Sequence, residues 1–320
     1  MGLAEQGNNS RPSVLLVTAR LLAYLVIVFI GFVVVMSIMV AVSYSMEFHG
    51  PGVNIGPGIS IPLWEVALSE ILAAAMAVLV TLGFVAYVDR RPVRTLGLSF
   101  DRAWLRDLFL GVVIRFGMIG LMFTILKAAS WTTVKGVYSP FSSASAIIML
   151  LESILFMIGV AVAEEVIMRG YVLQSLRIVS SPVAALVVSS VLFGLVHTMN
   201  PGSSIRGIIG TAAAGSLLGY GYLATGRLWL PIGIHFAWNF AEGTIFGFAV
   251  SGADLPSIIR QSVSGPTIWT GGRFGPEAGI LTPIVLVAGA LVIRQLFRNG
   301  INRPKMESVE LSVHGSEDAG

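Results

Sequence analysis

Seven side chains in the second half of this sequence have the types and spacings of a reaction centre. They are the adjacent carboxylates Glu164 and Glu165, then Arg169, His197, His235, Asn239 and Glu242. Glu165 and Arg169 stand at i and i+4, so on a helix they share a face and neutralise each other in a medium of low dielectric. Phe193 and His197 repeat that spacing, as do His235 and Asn239, which gives each histidine a defined neighbour on its helix face. With Arg169 committed to Glu165, Glu164 lacks a full counterion and is the better proton acceptor. His197 opposite Glu164 can hold and polarise a water, while His235 and Asn239 can donate hydrogen bonds to an oxygen that becomes negative. That combination suits hydrolysis of an amide. The same side chains also read as ligands: Glu164, His197 and His235 form a two-histidine, one-carboxylate set for one divalent metal such as zinc, with a water position left open. The residue types leave both alternatives standing, and no other cofactor is called for.

Each feature alone has a plainer account. A Glu and an Arg at i and i+4 can be a packing ion pair, and a lone histidine inside a membrane is often a bond between helices. Glu65, Glu70, Glu152 and Glu242 read as span-end or interhelical polar contacts. Gly215 and Gly219, after Ala212 to Ala214, read as a small-residue face for close helix approach. Trp229 and Trp238 read as interface anchors or packing. His49 and His314 fall in a loop and a tail and read as inert. The conjunction of two carboxylates, two histidines and an amide on three successive polar-bearing helices favours chemistry.

Those helices must be membrane spans. Of 320 residues, 55% are hydrophobic and only 12% charged, about half of the roughly 25% that a soluble surface carries. Cysteine is absent, which excludes disulfides, thiolate metal sites and a cysteine nucleophile. Apolar runs near the roughly 20 residues needed to cross hydrocarbon predict an all-α bundle of eight spans. They run from Leu21 to Val42, Leu63 to Val88, Leu108 to Ala129, Ala144 to Met168 with a polar extension to Arg177, Pro182 to His197, Ile205 to Thr225, Leu228 to Val250, and Ala278 to Leu296. The net charge of +3 reports topology and not nucleic acid, because most of the arginines, such as Arg90, Arg91, Arg94, Arg102 and Arg106, fall at one end of the spans. That end should be cytoplasmic, with both termini inside. Arg115 is embedded in the third span.

The organisation expected is a cytoplasmic N-terminal segment over 1–20, three spans over 21–143, the polar helices over 144–250, an outer loop and last span over 251–298, and a disordered tail over 299–320. The Gly- and Pro-rich stretches from His49 to Pro62 and from Ser251 to Pro276 read as irregular surface connections. Counting from the turn at Ser180 and Ser181, Glu164 lies about 20 Å and His197 about 22 Å up their helices. They can therefore face each other. His235 is only about 10 Å into its span, the weakest part of this geometry.

Three short motifs carry a resemblance. Glu164-Glu165-Val166-Ile167-Met168-Arg169, Phe193-Gly194-Leu195-Val196-His197 and His235-Phe236-Ala237-Trp238-Asn239 resemble the Glu-Glu-x-x-x-Arg, Phe-x-x-x-His and His-x-x-x-Asn signatures of the CAAX-type prenyl protease and bacteriocin-processing (CPBP) family of intramembrane proteases, which includes abortive-infection-like members. The resemblance covers roughly Ala144 to Phe248. It implies an eight-helix bundle with endopeptidase activity, Glu164 as base, His197 as its partner, and His235 and Asn239 as oxyanion or metal groups. It implies partners too: a peptide or membrane-protein substrate and the lipid bilayer, with no nucleic acid. The compact arrangement is more similar to bacterial members, hence a bacterial cell membrane, and no prenyl substrate is carried over. The competing readings are a non-catalytic scaffold and a transporter that uses the same cluster as a proton relay.

Overall fold

The computed structural model describes residues 12–46, 52–56, 59–139 and 141–298. The tail expected over 299–320, His314, His49 and the first residues of the N-terminal segment lie outside them. Apolar sequence with few breakers gives long helices: α1 (Val14–Met46), α2 (Leu63–Gly83), α3 (Trp104–Ala128), α4 (Ala144–Glu165), α5 (Leu173–Val179), α6 (Pro182–Val196), α7 (Ile205–Thr225), α8 (Trp229–Asn239), the short α9 (Thr267–Thr270) and α10 (Leu281–Leu296). Their starts follow capping chemistry. Ser143, Ser181 and Ser204 each accept a backbone N–H from the first turn of α4, α6 and α7, and Pro182 occupies the first position of α6, where no N–H is needed.

Among the described residues five helical stretches are long and apolar enough to cross a membrane: Val14–Val42, Leu63–Val88, Trp104–Ala128, Ala144–Val179 and Pro182–Met199. This is an integral membrane protein, mostly helical. The other expected spans are helices too, but α10 is short and α7 is rich in glycine, serine and threonine. Large side chains such as Leu15, Phe29, Leu79, Phe109, Val183 and Ile284 are exposed, as they should be where lipid is the solvent.

The fold is not purely helical, which corrects the expectation for the two Gly- and Pro-rich stretches. β1 (Gly52–Gly56) pairs antiparallel with β2 (Ile59–Pro62), and β3 (Thr132–Val137) pairs antiparallel with β4 (Ile259–Val263). A bridge between Asn54 and Asp254 ties the first pair to the loop after α8. The pairing gives these loops' backbone groups partners at the end of the bundle opposite the arginines. At the arginine-rich end, Arg227 bridges Asp101 and Asp107, Asp89 bridges Arg20 and Arg91, and Phe100, Trp104 and Trp229 form an aromatic cluster.

Glycines set how closely the polar helices approach. A Cβ on Gly194 of α6 would meet the Ile208 carbonyl of α7 at 2.6 Å, and one on Gly233 of α8 would run into the Leu108 carbonyl of α3. Both contacts are with backbone, so neither helix can yield by turning a side chain.

Candidate active site

The three motif segments end their regular helices at the functional residues. α4 runs to Glu165 and widens into π turns over Val166–Val172, and α8 runs to Asn239 and widens over Phe240–Ile245. Such widenings are rare and recur at functional sites. α6 stops at Val196, and His197 opens a 3-10 turn. The carbonyl of Phe193, freed near the helix end, accepts from His197 Nδ1 at 2.7 Å.

Behind the site stands a buried brace. Glu165 Oε1 accepts from Arg169 Nη1 at 2.9 Å and from His235 Nδ1 at 2.8 Å. Arg169 Nη2 donates to the Gly215 carbonyl at 2.9 Å, and its guanidinium lies 4.4 Å from the centre of the Phe193 ring. This joins α4, α6, α7 and α8 through one ion pair. Gly215 is therefore more than a small-residue contact: a Cβ there would press on the Phe193 ring at 3.1 Å and on Arg169 Nη2 at 3.4 Å.

In front of the brace is a cavity of about 310 Å³, and Glu164, His197, His235 and Asn239 all line it. Glu165 and Arg169 do not. Glu164 Oε2 lies 3.8 Å from His197 Nε2 and 3.8 Å from His235 Nε2, too far for direct hydrogen bonds. The tautomers follow from the partners: a carbonyl and a carboxylate only accept, so both Nδ1 atoms carry the proton and, in neutral rings, both Nε2 atoms present lone pairs. Three acceptors thus converge on one spot, and Glu164 Oε2 is buried with no hydrogen-bond partner. Such a spot calls for a donor or a cation.

A histidine that donates Nδ1–H to a carbonyl or carboxylate while its other nitrogen faces inward is the usual outer-shell arrangement of a metal ligand. Glu164, His197 and His235 fit a divalent metal in donor chemistry. They are not drawn together as a cage, because no group of three His, Cys, Asp or Glu among the described residues is close enough to hold a metal ion.

The cavity's remaining walls include Val53, Ile61, Pro201, Ser251 and Leu255, from the hairpin end of the bundle. A second hollow, of about 930 Å³, lies between α1 and α6 and shares Glu164, Phe193, His197 and Asn200 with the first. Its other lining is almost wholly apolar, with Leu25, Phe29 and Phe32 of α1 among it.

Of the seven side chains first singled out in the sequence, Glu242 belongs neither to the cavity wall nor to the brace. It is fully buried and, with Glu277, faces the equally buried Arg115, whose guanidinium lies on the Trp238 ring. Trp238 packs as expected, but between that group and the cavity. Sequence reasoning gave Arg115 no role, although a lone arginine in an apolar span is itself a signal. Glu70 also lines the cavity, whereas in the sequence it reads as an interhelical contact. It lacked a polar neighbour at helical spacing that would have marked it.

A family model described as type II CAAX prenyl endopeptidase Rce1-like matches residues 144–241. No curated protein and no solved structure matches the chain. The matched segment contains all three motifs and every residue of the brace, so residues 144–241 form a domain of the Rce1-like type II CAAX prenyl endopeptidase family.

Proposed function

We propose that this protein is an intramembrane endopeptidase that hydrolyses a peptide bond with a water activated by Glu164. The observation that carries this reading is the convergence of one carboxylate oxygen and two imidazole nitrogens, each nitrogen 3.8 Å from that oxygen, on the wall of one cavity. A water there donates one hydrogen to Glu164 and one to a histidine, and turns its own lone pair toward a carbonyl carbon. As the C–O bond forms, Glu164 takes the proton; as the C–N bond breaks, it returns that proton to the leaving amine. His235 has its Nδ1–H tied to Glu165, so it can donate from Nε2 only when protonated. The first donor to the oxyanion is therefore the Asn239 amide.

If a divalent metal is bound, Glu164, His197 and His235 would hold it, and it would polarise the carbonyl and acidify the water. Metal analysis of active protein before and after chelation decides between the two forms. We assign eight crossings, with α7, α8 and α10 completing the five long spans, and place the arginine-rich end and both termini in the cytoplasm of a bacterial cell. The substrate is a peptide or membrane-protein segment whose apolar part lies in the hollow between α1 and α6. The test compares membrane proteomes of cells that carry the wild type or Glu164→Gln. Fragments present with the first and absent with the second identify both activity and substrate. Identical fragment patterns at equal expression would overturn the reading, and proton flux in liposomes would then favour a transporter.

A further inference from the structure

The catalytic cavity carries charge of one sign only among the described residues. Its charged lining residues are Glu70, Glu164 and Glu277, and neither lysine nor arginine reaches it. Glu277 has partners, since its Oε2 accepts from the Ser251 hydroxyl at 2.7 Å and from the Ser251 N–H at 3.2 Å. Glu164 is committed to the water in the proposed reaction. Glu70 has neither. It projects from α2, is held in place where Gly159 of α4 approaches its backbone, is partly buried, and feels the charge of Glu164. No hydrogen bond or counterion satisfies it among the described residues. An ionised carboxylate in such a place costs several kcal/mol unless a cation arrives.

A second polar group lining the same cavity is also unspent. Thr211 of α7 is 2% exposed, its Oγ1 has no hydrogen-bond partner, and it lines the cavity. Threonines inside helices commonly return their hydroxyl to a carbonyl of the preceding turn, as Thr124 does to Gly120 and Thr225 to Gly221. Thr211 does not. An unpaired carboxylate and an unpaired hydroxyl lining one cavity that no lysine or arginine reaches have the composition of a subsite for a positively charged group. At about 310 Å³ the cavity is of the size at which specific ligand pockets begin.

We propose that Glu70, with Thr211, forms a specificity subsite that receives a lysine or arginine side chain of the substrate while the scissile bond lies at Glu164. This rests on the proteolytic reading and deepens it: the substrate carries a basic residue beside its cleavage point. That residue lies toward the hairpin end, past the apolar stretch that occupies the hollow between α1 and α6. The guanidinium or ammonium supplies the counterion that Glu70 lacks, and Thr211 accepts one of its hydrogens. Glu70 acts through binding and takes no proton in the bond cleavage.

The full chain in liposomes is assayed with internally quenched peptides that carry arginine, lysine, norleucine or glutamate at each position in turn. The expected result is a preference for the basic peptides over norleucine of about 10- to 100-fold in kcat/KM, carried by KM, as a charge-assisted hydrogen bond supplies. In Glu70→Gln that ratio collapses toward one, and in Thr211→Val it falls by a smaller factor. Cleavage that depends on Glu164 but shows no basic preference, or a preference that survives Glu70→Gln, overturns the subsite and leaves the protease reading standing. A binding measurement keeps the two apart when no peptide is cut. Hexylguanidinium should raise the melting temperature of the detergent-purified protein more than its neutral analogue hexylurea, and the excess should vanish in Glu70→Gln. Equal shifts from the two compounds overturn the subsite whatever the fate of the protease reading.

Discussion

Glu164 and Glu165 are neighbours in the chain and opposites in their surroundings. Glu165 belongs to the brace: it is fully buried, and one oxygen binds both Arg169 and His235, while Arg169 reaches on to the Gly215 carbonyl. Glu164 belongs to the cavity wall: its side chain is 32% exposed, and the imidazoles of His197 and His235 stand off at 3.8 Å. In a low-dielectric interior an ion pair with good geometry fixes four helices against one another, whereas an acceptor without a donor costs free energy until something binds it. The difference teaches where to look for chemistry in a membrane bundle. Buried charges that have found each other hold shape, and those that have not face a substrate, a water or a cation.

The sharpest way to break this comparison is to neutralise each carboxylate. Glu164→Gln keeps size and removes the base, so turnover should fall by at least about 10²- to 10⁴-fold, with the unfolding midpoint in micelles unchanged. A variant that loses its fold instead would move Glu164 into the brace. Arg169→Ala should do the reverse of Glu164→Gln on stability. It strands Glu165 without its cation and should cost about 3 to 5 kcal/mol, read from unfolding of the purified protein. Adding Glu165→Gln to Arg169→Ala should recover a large part of that loss, because the buried charge is gone, yet activity should stay low because a neutral amide anchors His235 more weakly than a carboxylate does. Without recovery, the ion pair would not be what holds the four helices.

Asn239→Ala sits lower on the scale. It removes one donor from the wall and leaves the brace intact, so kcat should fall by about 10²- to 10³-fold while KM changes far less. An equal fall in kcat and rise in KM would make Asn239 a binding group instead.

How much of this was legible follows from the range of each interaction. The pairing of Glu165 with Arg169 and that of Phe193 with His197 lie within one turn of one helix, so spacing alone conveys them. The partnership of His235 with Glu165 was not visible. Counting rises along straight helices placed the two at different heights, because the count knew nothing of the π turns over Val166–Val172 or of α8 seated against Leu108 through Gly233. Arg115 and Glu70 lie on helices outside the motif segment, and only the packing of α2 and α3 brings them near it. The stretch from Ser251 to Pro276 reads as irregular for a similar reason: β3 and β4 are more than a hundred residues apart in sequence, and no local pattern announces their pairing.

The smallest effect is expected at the arginine-rich end, where the Asp101–Arg227 ion pair stands in water. Asp101 accepts the Ala103 N–H at 2.8 Å and pairs with Arg227 at 2.9 Å. The backbone hydrogen bond first and Arg227 second hold its carboxyl below the ordinary carboxylate range. A group whose pKa is lowered by folding contributes stability above its unfolded value, and the contribution disappears as pH falls through the folded one. Asp101→Asn should therefore lower the unfolding midpoint slightly at neutral pH, by less as the pH falls below the free carboxyl's roughly 3.9, and not at all once the pH is below the folded value. An exposed pair yields little because water offers each partner nearly the same interaction. Should Asp101→Asn cost as much as Arg169→Ala, completeness of pairing and not exclusion of water would govern stability here. The distinction drawn between the brace and the cavity wall would then have to rest on geometry alone.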